Sequence, residues 1–411
     1  MWLTRWPGLA DLGVMDGQPE ALIDLAAITA NVAALSRHVG AAQVMAVVKS
    51  DGYGHGMAEA ARAALAGGAS WLGVVQVADA IALRQSGFDV PVLSLHGSHD
   101  ADHAGAIAAG VDLTVGTPAL VRQIAGAARL AGRPARLHLE ADTGMGRGGA
   151  IAADWPALVA AARAAEAEGL VEVVGLWSHF ACADIPGHPT IGSQLEAFGA
   201  AVEHAERAGC KPEVRHMANT PATLTLPQSY FDMVRPGGAV VGLSTTPGGA
   251  PDWLRPAMTV RARLIQVKRV PAATPVSYAH RFTTGHESTL GVLALGYNEG
   301  IPRHATNAAD LMWSSGRRVP IAGTVNLNHV ILDLGDHPAE AGDEVILFGP
   351  GDHGEPTAQE WADKLGTISY EIVTRFTGKV PRIYSGVTGT GSDDSDLAVD
   401  GRPDGHVAAA R

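Results

Sequence analysis

From about residue 24 to 240 the chain alternates short apolar runs with Ala-rich stretches whose apolar positions recur at helical spacing. Apolar runs at 43–49, 71–76, 91–95, 111–115, 136–141, 172–178, 213–217 and 231–235 predict strands. Stretches near 55–67, 77–86, 99–109, 117–132, 154–168, 189–208 and 219–225 predict helices, and Thr117-Pro118 and Asp154 stand where helix starts need caps. Eight such units over about 220 residues have the number and size of a (β/α)8 barrel. A doubly wound open sheet also alternates, but eight units is long for it. After Arg255-Pro256 the period changes to β-rich segments such as MTVRARLIQVKRV, HVILDLG and DEVILFG, and only Thr357–Leu365 reads as helix. The predicted fold class is α/β: an N-terminal (β/α)8 barrel over 11–255, then a C-terminal mostly-β domain over 256–384 against which residues 1–10 pack. Residues 385–411, poor in apolar side chains, predict a disordered tail.

Charge and composition narrow the function. A net charge of −12 argues against a nucleic-acid or anionic-membrane partner, since both need clustered Lys and Arg. Two cysteines, Cys182 and Cys210, make no disulfide framework. No apolar run has signal-peptide or membrane-spanning length, so a cytoplasmic protein is expected.

Lys49 carries the most chemistry. It ends the first apolar run and is followed by Ser50-Asp51-Gly52-Tyr53-Gly54-His55-Gly56. Partial desolvation there disfavours the ammonium, and a neutral amine can form an imine with an aldehyde. The glycines permit close approach of backbone N–H groups to an anion. The other reading is a lysine snorkelling to solvent at a strand end. In a barrel, however, Lys49, His179 and Arg235 end strands, Asn219 and Thr220 follow one, and all meet on one rim, where barrel enzymes hold their active sites.

Other motifs weigh less. Gly144-Met145-Gly146-Arg147-Gly148-Gly149 fits GxGxxG, but Glu140 and Asp142 precede it and would repel a pyrophosphate. His96, His99 and His103, with Asp100 and Asp102, have metal-like spacing, yet Asp100 also reads as a helix cap. No metal is predicted. Cys182 lies three residues past His179 without an orienting group and reads as a small buried thiol.

The segments AVVKSDGYGHG, HLEADTGMGRGG, GLWSHFA, HMANT, VRPG, VSYAH, LGYNEGIPR, GDEVILFG and GTISYEI occur in the order and spacing of bacterial alanine racemases. From about residue 20 to 384 the chain resembles that family, which implies a pyridoxal 5'-phosphate (PLP) enzyme acting as a homodimer with shared active sites on a small amino acid. By resemblance, Lys49 is the lysine that carries PLP and one of two bases. Tyr278 is the opposing base, supplied by the other subunit. His179 supports catalysis beside the cofactor, Asn219 is among the residues that bind the cofactor, Arg235 faces the pyridine nitrogen, and Arg147 contacts the tyrosine and the substrate. Tyr53, Thr220, Gly237, Gly238 and Tyr370 match phosphate-site positions, and Leu327 and Tyr297 match the substrate side.

The chain also departs from the family. Glu140 stands where a carbamylated lysine is common, so one anion replaces another and is expected to orient Arg147. The family segment GRVCMDQ becomes Gly323-Thr324-Val325-Asn326-Leu327-Asn328-His329, with Thr324 and Asn328 in place of an entryway arginine and aspartate. Gly238 replaces a larger apolar residue, and Val241 a frequent tyrosine. These changes point to substrate entry, and so to a preference extending to serine or another small amino acid. The alternatives are an inactive amino-acid-binding paralogue and a related PLP decarboxylase. The latter normally uses a β-domain cysteine, and residues 256–384 contain none.

Overall fold

The computed structural model describes residues 18–386 and the backbone of Val399–Asp400. The chain divides into two units, one from Ala27 to Arg255 and the other from the segments on either side.

The first unit is the expected barrel. Strands β2 (Gln43–Val47), β3 (Trp71–Val74), β4 (Val92–Ser94), β5 (Asp112–Val115), β6 (Ala135–Glu140), β7 (Val171–Trp177), β8 (Val214–His216) and β9 (Met233–Val234) pair in order, and β9 closes parallel onto β2. Buried side chains from six of the strands pack together. Met45, Val47, Trp71, Leu93, Val174, Val214 and Met233 form one buried cluster. Gly73 makes room for it, since a Cβ there would lie 2.8 Å from Met45 Sδ. The helix Trp155–Ala167 starts just after Asp154, though that side chain makes no capping bond, whereas Thr117 caps as predicted. The Thr117 hydroxyl accepts from Leu120 N at 3.2 Å, and the helix Pro118–Ala131 stops at Gly132, whose φ of 67° suits a residue without Cβ. At the helix His103–Ala109 the capping side chain is Asp102, not Asp100.

The second unit contains a strand that the pattern did not predict. β1 (Glu20–Asp24) pairs antiparallel with β10 (Met258–Val270) and parallel with Arg382–Ser385. Residues 20–26 therefore belong to the β unit, and the barrel unit begins at Ala27 instead of residue 11. Buried Arg261 cross-links the sheet, with Glu20 at 2.9 Å and Glu344 at 3.1 Å. The helix expected at 357–365 runs Ala358–Leu365 behind a capping box of Thr357 and Glu360. A second helix, Ser369–Thr374, was missed. Residues 1–10 and most of 385–411 lie outside the described residues; Val399–Asp400 pairs with Arg382 and Ile383.

Candidate active site

Lys49 lies two residues beyond the end of β2, not in it. It opens a left-handed turn in which Ser50, Asp51, Gly52 and Tyr53 have φ of 54°, 54°, 61° and 56°. For the three non-glycine residues this costs on the order of 1–3 kcal/mol each, strain that the surrounding structure must hold in place. Gly52 N donates to Val48 O at 2.9 Å, and Met57 N donates to Asp51 Oδ1 at 2.8 Å. The turn sets the Lys49 ammonium 6.0 Å from the centre of the Tyr53 ring. Burial, then Arg147 and Arg235, lower the Lys49 pKa.

The ends of four other barrel strands bring the remaining groups together. After β9, buried Arg235 lies between β7 and β8. Its Nη2 donates to Ser178 O at 2.8 Å and lies 3.2 Å from His179 Nδ1, and its Nη1 donates to His216 Nδ1 at 2.9 Å. His179 is held well below the ordinary imidazole range by burial, Arg235, Arg147 and Lys49, so its ring is neutral. Asn219, which caps the helix Thr220–Thr225, places Nδ2 3.5 Å from His179 Nε2. Burial drags Arg235 down to about 9, opposed by Glu140, which leaves it cationic at neutral pH. Glu140 ends β6, and burial raises its pKa to about 7 although Arg147 and Arg235 pull it down. Glu140, Arg147 and His179 line one cleft with Asp142, Met145, Gly148 and Ser178.

A second cradle lies beside Lys49. The Thr220 hydroxyl accepts from Gly237 N at 3.0 Å and Ala239 N at 3.3 Å. A Cβ on Gly237 would fall 2.1 Å from the Tyr53 hydroxyl, so only glycine lets Tyr53 reach this backbone. Gly238 opens the short 3-10 turn Gly238–Val241. With its oxygen accepting from these amides, the Thr220 hydroxyl keeps its proton to donate, and with the Tyr53 hydroxyl it suits a phosphate.

The GxGxxG segment is a largely exposed loop that closes on its own preceding carboxylate. Asp142 Oδ1 accepts from Gly144 N, Met145 N and Gly146 N at 3.0–3.1 Å, and the next helix begins only at Trp155. Its amides are spent on an internal carboxylate. His99 contacts Gln123 Oε1 at 2.8 Å and His103 contacts Ser98 O at 2.9 Å, and no metal-holding cluster exists among the described residues.

Two family models match the chain in succession: "Alanine racemase, N-terminal domain" over residues 23–245 and "Alanine racemase, C-terminal domain" over 257–384. The chain belongs to the alanine racemase family. The alanine racemase of Frankia casuarinae is 55% identical over 367 residues, 89% of this chain and 95% of that one. The solved alanine racemase of Streptomyces coelicolor is 50% identical with a TM-score of 0.88, covering 89% of this chain and 98% of that one. A third, from Bartonella henselae "with covalently bound pyridoxal phosphate", is 26% identical with a TM-score of 0.81, covering 90% of this chain and 100% of that one. As an alanine racemase the chain is an isomerase, and the family is PLP-dependent.

The β unit holds the other residues of the alanine racemase pattern. Tyr278 is 70% exposed on a short turn where Ser277, Ala279 and His280 have φ of 61°, 58° and 47°. Ser277 Oγ lies 2.7 Å from Thr324 O and 2.9 Å from Asn326 Oδ1, while Thr324 Oγ1 donates to Tyr278 O at 2.7 Å. Thr324 thus braces the Tyr278 backbone. Leu327 and Tyr297 are 50% and 43% exposed. Tyr297 N donates to Asn326 O at 3.0 Å, and Asn298 N donates to Leu327 O at 2.9 Å. Glu299 accepts from Gly296 N and from the Asn298 and Asn328 side chains, all at 2.8 Å. Tyr370 lies in the helix Ser369–Thr374.

Sequence reasoning missed Asp112, His138 and His216, all fully buried inside the barrel. The signal was present: each is a titratable residue on an apolar strand.

No described helix is long and apolar enough to cross a membrane.

Proposed function

We propose that Lys49 carries PLP and shares with Tyr278 of a second copy the work of moving the Cα proton of alanine. The observation that carries this reading is a partly buried lysine, next to a two-hydroxyl glycine cradle and flanked by two guanidinium groups that lower its pKa. The residues present fit the cofactor. Tyr53, Thr220, Gly237 and Gly238 would hold its phosphate with Tyr370, and Arg235, a donor only, would face its ring nitrogen and leave it unprotonated. When bound, the cofactor draws the electron pair left at Cα into its conjugated ring.

The chain's own residues do the rest. Lys49 reaches its neutral, proton-accepting form at a lower pH than an ordinary lysine. Inversion needs a second group on the opposite face, and Tyr278 is the exposed phenol that another subunit can present. Neutral His179 and Asn219 would line the face beside Lys49, and Arg147, balanced by Glu140, would bind the substrate carboxylate with the Leu327 backbone and Tyr297 at the entrance. The neutral Thr324, Asn326 and Asn328 around that entrance favour a substrate range that extends to serine. The site would form in a cytoplasmic homodimer.

Borohydride reduction of the holoenzyme followed by peptide mass mapping should find a pyridoxyl group on Lys49. Its absence there overturns the assignment. Mixing inactive Lys49→Ala and Tyr278→Phe chains should restore part of the activity through hybrid dimers. If mixing restores nothing, the shared site is wrong.

A further inference from the structure

A file of polar side chains crosses the barrel interior. Asp112 begins β5, His138 lies within β6, His216 ends β8 and Arg235 follows β9. Arg235 Nη1 is 2.9 Å from His216 Nδ1, His216 Nε2 is 2.9 Å from His138 Nδ1, and His138 Nε2 is 3.3 Å from Asp112 Oδ2. All four are buried.

The two ends dictate every bond between them. A guanidinium only donates and a carboxylate only accepts, while a neutral imidazole offers one donor and one acceptor. Arg235 therefore donates to His216, His216 to His138, and His138 to Asp112. Protonating His216 would set an N–H against the guanidinium. Burial, Arg235 and His138 hold its pKa well below the ordinary range. Burial pushes Asp112 up, but hydrogen bonds from His138 and Arg136 outweigh it and keep the carboxyl ionised.

We infer that Asp112, His138 and His216 are positioning residues for Arg235, a one-way chain of hydrogen bonds that locks both imidazoles as neutral Nε2–H tautomers and carries the Asp112 field to the guanidinium. The inference rests on the reading above, in which Arg235 faces the cofactor's ring nitrogen.

The packing is built for the chain. A Cβ on Gly175 would fall 2.1 Å from His138 Nδ1, and the β6–β7 register shifts between Leu137 and His138. Trp71 meets His138 edge-on at 5.7 Å, Trp177 stacks on His216 at 5.9 Å, and Arg235 Cζ lies 4.8 Å from the centre of the Trp177 ring. At the far end Arg136 binds Asp112 at 2.8 Å and is itself paired with Glu213 and Glu172. Four buried polar groups are costly to desolvate, and apolar residues of the same volume would hold a barrel together at least as well. Arg235 also feels Glu140 from β6, Arg147 from the following loop, His179 from the end of β7 and Lys49 from the end of β2. Of these only Glu140 can become an anion, as the pH rises past about 7.

Two measurements test the chain. In the wild-type holoenzyme, histidine 15N NMR from pH 6 to 8.5 should show two buried imidazoles carrying a proton on Nε2, that of His216 pH-invariant, the two absent from His138→Gln and His216→Gln spectra respectively. The apoenzyme should show the same pair, so this result stands or falls apart from the cofactor reading. If the His216 ring titrates, or either ring carries its proton on Nδ1 with Nε2 bare, the inference is overturned. In Asp112→Asn the guanidinium loses its distant anion and releases its proton more readily. The alkaline limb of racemisation, and of the bound-cofactor absorbance, should move to lower pH, with kcat down roughly tenfold or more and KM changed less. An unmoved limb in a folded variant also overturns it; should the variant not fold, the wild-type spectra decide alone.

Discussion

Replacing Glu140 with Gln tests the electrostatics of the site through stability. Burial raises the folded-state pKa of Glu140 from 4.5 to about 7. At about 1.4 kcal/mol per pH unit, ionising this buried carboxyl opposes folding by on the order of 3 kcal/mol. The sign follows from proton counting. Between the two pKa values the folded protein holds a proton that the unfolded chain has lost, so this contribution weakens stability as pH rises from about 4.5 to about 7 and then levels off. Glutamine keeps the shape but has no proton to lose. Glu140→Gln should therefore match the wild type near pH 5 and exceed it at pH 8. An unfolding entropy of about 2.1 cal/mol/K per residue over 411 residues turns 3 kcal/mol into a Tm gain of about 3–4 °C. The variant should also lose activity, because Arg147 and Arg235 lose their nearby anion. Calorimetry of both proteins from pH 5 to 8 checks the argument. Parallel Tm curves would refute it.

Gly237→Ala should drive the Tyr53 hydroxyl out of the cradle, because the new methyl would sit 2.1 Å from it. Cofactor affinity should fall while the barrel still folds; fluorescence titration of the apoenzyme measures this, and unchanged affinity would remove Gly237 from the phosphate site. Thr357→Ala deletes a capping box in the β unit and should lower stability by about 1 kcal/mol without changing KM. Urea denaturation with parallel kinetics separates the two effects.

The barrel was legible because each strand carries its own apolar run, bounded by an Ala-rich amphipathic helix. β1 was not, because five residues gain a strand's identity only from partners more than 200 positions away. The site was legible as residue types following strands. Its geometry was less so: the left-handed turn after Lys49 includes Ser50, Asp51 and Tyr53, which local propensity would keep out of that conformation. Glu140 was read from sequence as an anion, whereas burial brings its pKa close to neutrality. The Thr324 and Asn328 departures were visible by resemblance, but only the structure shows one bracing the Tyr278 backbone and the other bonded to Glu299.

Strand β1 has a consequence for biosynthesis. It is made before the barrel, yet its two neighbours begin at Met258 and Arg382. Throughout translation of the barrel this short apolar strand has both edges open, a template for pairing with another nascent chain. Its sheet can close only when synthesis has passed Ser385, so termination before that point should yield aggregation-prone fragments even when the barrel sequence is complete.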